Sequence, residues 1–112
     1  MLTRTLFSTM KSQYERVIDT LGVPMSWTHI KSGLTLSVIG GIKIAGNEDI
    51  AIVNAYGIGA RIITVKASSF PTIHPEKFDK FVVGSETYII ENVSPVHFNG
   101  ELVGYRVFTK GR

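Results

Sequence analysis

Residues 80–93 read Lys80-Phe81-Val82-Val83-Gly84-Ser85-Glu86-Thr87-Tyr88-Ile89-Ile90-Glu91-Asn92-Val93. β-Branched and aromatic runs flank Gly84-Ser85, a pair suited to a tight turn, so the segment predicts a hairpin with strands at 80–83 and 86–93. Downstream, Ser94-Pro95 and Asn99-Gly100 bracket a longer connection, and Leu102–Thr109 reads as a closing strand. Upstream, a period of two recurs. Met25, Trp27 and His29 alternate with Ser26 and Thr28, and Leu34, Leu36 and Val38 alternate with Thr35 and Ser37 across an Ile30–Gly33 turn. Gly40-Gly41 interrupts the second of these runs before Ile42 and Ile44 resume it, and Gly46–Asp49 is a polar turn. The apolar runs Ile50–Tyr56 and Arg61–Ala67, split by Gly57-Ile58-Gly59, read as further strands. From Ser68 to Asp79, with Pro71 and Pro75, alternation is lost and a surface loop is expected.

The first segment has a different period. Phe7, Met10, Tyr14, Val17, Ile18 and Leu21 recur every three or four residues, which lines one face of a helix. Thr3 or Thr5 is placed to cap its start, and Ser12 with Glu15 has capping-box spacing for a later start. Gly22 stands where a left-handed cap is wanted, with Pro24 beyond it. The expectation is one α+β domain over 1–112, mostly β. It comprises a small β-barrel or sandwich of six or seven short antiparallel strands, with one N-terminal amphipathic helix at about 4–21 and the β region at about 24–110.

Composition sets limits. The 112 residues carry 12 Lys and Arg against 9 Asp and Glu, a formal charge of +3, and no cysteine, which removes disulfides, thiolate catalysis and Cys-containing metal sites. The basic residues are scattered, apart from Arg106, Lys110 and Arg112 at the end, so a dedicated nucleic-acid stripe is missing. No apolar run is long enough to cross a bilayer, and Met1–Met10 has no signal-peptide core.

The chemistry-bearing residues do not converge in the sequence. Gly57-Ile58-Gly59 lacks the rest of a dinucleotide fingerprint. His29, His74 and His97 lie far apart without a short-spaced pair, Glu48-Asp49, Glu76 and Asp79 fall in predicted turns, and Ser8, Ser68, Ser69 and Ser94 lack a nucleophile elbow. No catalytic residue, cofactor or metal is expected. Phe78, Phe81, Tyr88, Phe98, Tyr105 and Phe108 are available as base-stacking platforms, but strand positions make core packing the ordinary use.

The segment 38–60 stands apart, because Gly40, Gly41, Gly46, Gly57 and Gly59 break up Ile and Val while charge is sparse. It reads either as an ordinary pair of core strands with bulges or as an arm that pairs with a neighbouring subunit.

The order of elements resembles phage head–tail joining proteins, the small neck family also described as head-completion or stopper proteins. The features that match are the N-terminal helix, Met25-Ser26-Trp27-Thr28, Ile62-Ile63-Thr64-Val65 before a Pro-containing loop, Phe81 through Pro95, and Asn99-Gly100 followed by Tyr105-Arg106-Val107-Phe108. That family often has Gly-Asp just before the strand at 80; here Phe78-Asp79-Lys80 stands, so the Asp is kept and the Gly is not. The resemblance implies a structural virion protein, a homo-oligomeric ring in the neck assembled in the bacterial cytoplasm. Its partners would be itself, portal or adaptor proteins and tail proteins, with transient non-specific DNA contact and no membrane. On this reading Ile42, Ile44, Ile50, Ile52, Tyr56 and Ile58 form the subunit interface, and Phe70, His74 and Phe78 form a second contact loop. The rival expectation is a small β-barrel nucleic-acid-binding module.

Overall fold

The computed structural model describes residues 2–110, with the backbone alone for residues 2–9 and Asn47. The caps considered at Thr3 and Thr5, Phe7 of the apolar stripe and Arg112 of the basic tail therefore lie outside the described residues or side chains. The order is α1 (Leu2–Leu21), β1 (Val23–Thr28), β2 (Thr35–Ile44), a 3-10 turn, α2 (Ile50–Tyr56), β3 (Arg61–Lys66), a second 3-10 turn (Ala67–Ser69), β4 (Lys80–Val83), β5 (Glu86–Phe98) and β6 (Glu101–Thr109). All six strands pair antiparallel and close a barrel in the order β1-β2-β3-β6-β5-β4.

Alternation decides what fills the barrel. The register Met25↔Val38, Ile63↔Val107, Val65↔Tyr105 and Trp27↔Phe81 sends these side chains to one face. Together with Ile90 and Phe70 they form the main core, in which Trp27, Ile63, Val65, Phe81, Ile90 and Val107 are completely buried. A register shift between Ile90 and Asn92 leaves Glu91 as the extra residue. Such a bulge resets the alternation so that Val93 faces Val107.

The helix α1 lies outside the barrel against β2, β3, β5 and β6. Its close seat depends on glycine. A Cβ on Gly104 would overlap the Val65 carbonyl oxygen and the Tyr14 hydroxyl, and would sit 2.8 Å from Tyr14 Cε1. Tyr14 thereby packs over Gly104, donates to the Val65 carbonyl at 3.4 Å and meets Phe98 edge to face. Lys66–Asp19 and Lys11–Glu101 ion pairs flank it.

Several expectations need correcting. Ile50–Tyr56 is helical. Its β-branched residues mask a helical spacing by which Ile52, Val53 and Tyr56 all reach a second cluster of Ala45, Ala60, Ile62 and Phe108 on the barrel's outer face. Gly40-Gly41 does not break β2, which runs through it and spends its backbone groups on β1 and β3. Ser12 lies inside α1 rather than at its start. Gly22 is not left-handed; a side chain there would strike the Ile18 carbonyl oxygen and stand 2.8 Å from that of Gly40. The strand β5 continues through Ser94-Pro95 to a two-residue turn with left-handed Asn99 and Gly100 (φ 52° and 78°). The loop before β4 is not wholly at the surface, because Phe70, Pro75 and Asp79 are buried.

Candidate functional site

Three features converge where the loop before β4 crosses the barrel mouth. The first is a polar clamp on Asp79. One carboxylate oxygen accepts from the Trp27 indole N–H (3.1 Å) and the Glu76 backbone N–H (3.0 Å), and the other accepts from the Ile30 N–H (3.1 Å). A single buried side chain thus ties β1, the β1–β2 turn and the loop together, and the Asp79 backbone extends the ladder by pairing with Ile90.

His29 makes the second tie. Its Nδ1 lies 2.8 Å from Ser32 Oγ and receives the Ser32 N–H at 3.3 Å, while Nε2 lies 2.9 Å from Glu76 Oε2. The Leu34 N–H occupies Ser32 Oγ, so the hydroxyl proton turns to Nδ1. This assigns the ring proton to Nε2, which donates to Glu76. Atoms of His29, Glu76 and Asp79 fall within 4.8 Å of one another, and these are donor types that a divalent cation takes. Both Asp79 oxygens already receive N–H donors and His29 Nε2–H faces Glu76, so the chemistry of the group is that of a hydrogen-bonded clamp. His74 and His97 are exposed and stand outside this group.

The His29 hydrogen bond, helped by the Lys31 charge 3.6 Å away, holds the Glu76 carboxyl below the ordinary glutamate range. A carboxyl whose folded pKa is depressed stabilises the fold above its unfolded value of about 4.3 and loses that contribution as the pH falls further. In Glu76→Gln, the melting temperature is expected to fall less steeply between about pH 5 and pH 3 than in the parent. An unchanged slope in thermal melts would remove Glu76 from the acid response. Asp49, lowered by Lys43 and by the Gly46 N–H, keeps part of that response in either protein.

Beside the clamp opens a cleft of about 670 Å³ bounded by Lys31, His74, Lys77, Phe78, Pro95 and Tyr105. The His74 ring stacks over Tyr105 (6.3 Å between centroids), and Lys77 Nζ lies 5.2 Å from the centre of the exposed Phe78 ring. Phe78 has φ 76°, a left-handed conformation that a bulky residue adopts only at a cost. Phe78→Gly is therefore expected to be neutral or to raise stability by up to about 1 kcal/mol, the relieved strain outweighing the added chain entropy. A loss of more than about 1 kcal/mol in denaturant melts would show that the ring itself holds the loop.

Of the residues proposed for the second contact loop, His74 and Phe78 are exposed. Phe70 is not. It is buried in the barrel mouth, edge-on to both Trp27 (4.9 Å) and Tyr105 (5.9 Å), and is a core residue. The subunit-interface candidates also divide. Ile42 packs half-buried against the main core; Ile52 and Tyr56 pack on the second cluster, with Tyr56 stacked on Phe108 and its hydroxyl accepting from Asn92 at 2.9 Å. Ile44, Ile50 and Ile58 are open to solvent, the last at 80%. On α1, Ile18 is buried and Tyr14 half-buried, but Val17 (54% exposed) and Leu21 (77%) of the expected apolar face border a groove of about 500 Å³ instead of the barrel.

The edge of β5 from Asn92 to Phe98 pairs only with β6 among the described residues. Two devices blunt it: the Val93 N–H is taken by the Asn92 side chain (2.9 Å), and Pro95 has no N–H. Strand addition at this edge is thereby disfavoured. Sequence reasoning missed the Asp79 clamp and the His29–Glu76 bond, because the bonds Trp27–Asp79, Ile30–Asp79 and His29–Glu76 span 47 to 52 residues. The local signals were an Asp directly before a strand and Glu76 three residues ahead of it, whose N–H reaches that Asp. Among the described residues no helix is long and apolar enough to cross a membrane. In comparisons with known proteins, the chain matches no family model, no curated protein and no solved structure.

Proposed function

We propose that the protein is a structural virion component, a ring-forming head–tail connector of the phage neck that joins the portal-closed head to the tail and lines the DNA channel. The observation that carries this reading is the large aliphatic side chains left in solvent on a small closed barrel: Leu21, Ile50 and Ile58 are 77%, 65% and 80% exposed. Leu21 stands at the end of α1 and Ile50 and Ile58 in and after α2; exposed apolar surface of this kind is what protein–protein contact covers, and rings are built from two different faces of one subunit. A further support lies at Phe78-Asp79. The resembled family often has Gly-Asp there; position 78 here is left-handed, which glycine adopts freely, and Asp79 is the acceptor that gathers three N–H donors. The scattered +3 charge suits a channel that passes DNA without gripping it.

Negative-stain imaging of the purified protein, alone and with portal rings, tests the proposal. Annular particles that cap the portal are expected; a featureless field at high concentration, with bare portals, would overturn it.

A second reading, a small nucleic-acid-binding barrel, is favoured by the cleft, where Lys31 and Lys77 flank the Phe78 ring and the His74–Tyr105 stack. It requires binding to single-stranded or duplex DNA that weakens steeply with salt. A flat low-salt gel-shift titration dismisses it.

A further inference from the structure

The ladder that joins β4 and its leading loop to β5 ends at Phe78 and Ile90, and no strand among the described residues covers the outer edge of Asn92–Phe98. The cleft of about 670 Å³ opens in that gap, within the size range of small-ligand sites at barrel mouths. Two of its residues are built in ways the fold itself does not use. Tyr105 is only 8% exposed, yet its hydroxyl has no hydrogen-bond partner among the described residues. The oxygen is not sealed into the core, so it opens on the cleft that the residue lines. Burial pushes this phenol above its ordinary pKa and keeps it a proton donor. Phe78 has its N–H fixed to the Ile90 carbonyl at 2.9 Å and its backbone in the left-handed region, with the ring 61% exposed. The strain costs stability without burying the ring, and strain of this kind collects at ligand sites.

Independently of the ring reading, we infer that this cleft binds an aromatic anion, a flat ring that carries a phosphate or carboxylate group. The ligand ring packs on Phe78 and beside the His74–Tyr105 stack, and an acceptor on the ligand takes the Tyr105 proton. The anionic group lies by Lys77, whose Nζ already stands 5.2 Å from the Phe78 ring centre and pairs with no carboxylate among the described residues. Glu76 is the one acid lining the cleft among the described residues, and its Oε2 is held by His29 at 2.9 Å and Lys31 at 3.6 Å. The three features select the class together. A neutral ring leaves Lys77 without a counter-charge, a cationic one meets Lys31 and Lys77, and an aliphatic anion leaves the Phe78 ring in water. A nucleotide, free or within a single strand, and a free aromatic carboxylate share the required chemistry.

Titration calorimetry of the whole chain with deoxythymidine monophosphate and with benzoate tests the site, with thymidine and benzamide as neutral counterparts and inorganic phosphate as the anion without a ring. Saturable binding of at least one aromatic anion is expected, with a Kd below about 1 mM. The neutral counterparts and inorganic phosphate should bind at least about tenfold more weakly. Which of the two anions binds identifies the source. Tyr105→Phe should keep the parental melt, because no bond within the protein is lost, yet weaken binding about three- to tenfold. Phe78→Gly should weaken it at least about fivefold, and Lys77→Ala should weaken it and flatten its salt dependence. If neither aromatic anion binds, if the neutral or ringless compounds bind as well, or if all three variants bind like the parent, the inference is overturned. A dT oligonucleotide that binds all three variants as tightly as the parent also overturns this site while keeping the nucleic-acid reading.

Discussion

Asp79→Ala is expected to cost about 3–5 kcal/mol, a large share of the roughly 5–15 kcal/mol that holds a domain of this size together. The magnitude follows from what remains after truncation: the Trp27 indole N–H and the Ile30 and Glu76 amides all lose their acceptor at a position where the side chain is almost entirely buried. Each stranded donor costs about 1–3 kcal/mol unless water reaches it. Asp79→Asn should recover part of the loss, because the amide oxygen still accepts while its NH₂ faces a donor. The check is denaturant unfolding of parent, Asn and Ala variants with unchanged m values. If Ala costs under 1 kcal/mol, the three donors have other acceptors and the clamp is not what closes the barrel mouth.

Trp27→Ala should cost about as much, 3–5 kcal/mol, for a different reason. Trp27 is fully buried where β1 meets β4, with Phe81 across from it and Phe70 edge-on at 4.9 Å, so truncation opens a cavity that rigid strands on both sides cannot collapse. Trp27→Phe keeps most of the ring and loses the bond to Asp79, leaving that oxygen the Glu76 amide. About 1–2 kcal/mol is expected. The two sites share a bond, so their effects should not add. A double-mutant cycle of Trp27→Phe with Asp79→Ala is expected to show coupling of at least about 0.5 kcal/mol. Simple additivity would mean that the 3.1 Å contact contributes nothing to stability.

Much of the barrel is legible locally. Turn chemistry at Gly84-Ser85 and two-residue alternation place β4, and β1 as far as Thr28, because each strand has one face to the core and one to solvent. Ile50–Tyr56 is misleading for a physical reason: β-branched residues favour strands in general, but this stretch is short, follows Glu48-Asp49 at its N-terminus, and gains more by laying Ile52, Val53 and Tyr56 on Ile62 and Phe108. Pro95 is likewise a fair sign of a break, but it lies in the part of β5 whose outer edge has no strand partner among the described residues. The long-range part of the clamp is not legible locally. Glu76 and Asp79 are three residues apart, but nothing in their context says that chain closure brings Trp27, His29 and Ile30 to them, and Phe70 looks like any loop aromatic until the barrel mouth exists for it to fill.

Sedimentation velocity of the purified chain over a hundredfold concentration range tests the central claim, self-association through exposed apolar faces, most directly. The expected result is a concentration-dependent shift from the 12.3 kDa subunit to a single closed species at an integral multiple of that mass. A lone 12.3 kDa boundary at every concentration would contradict it.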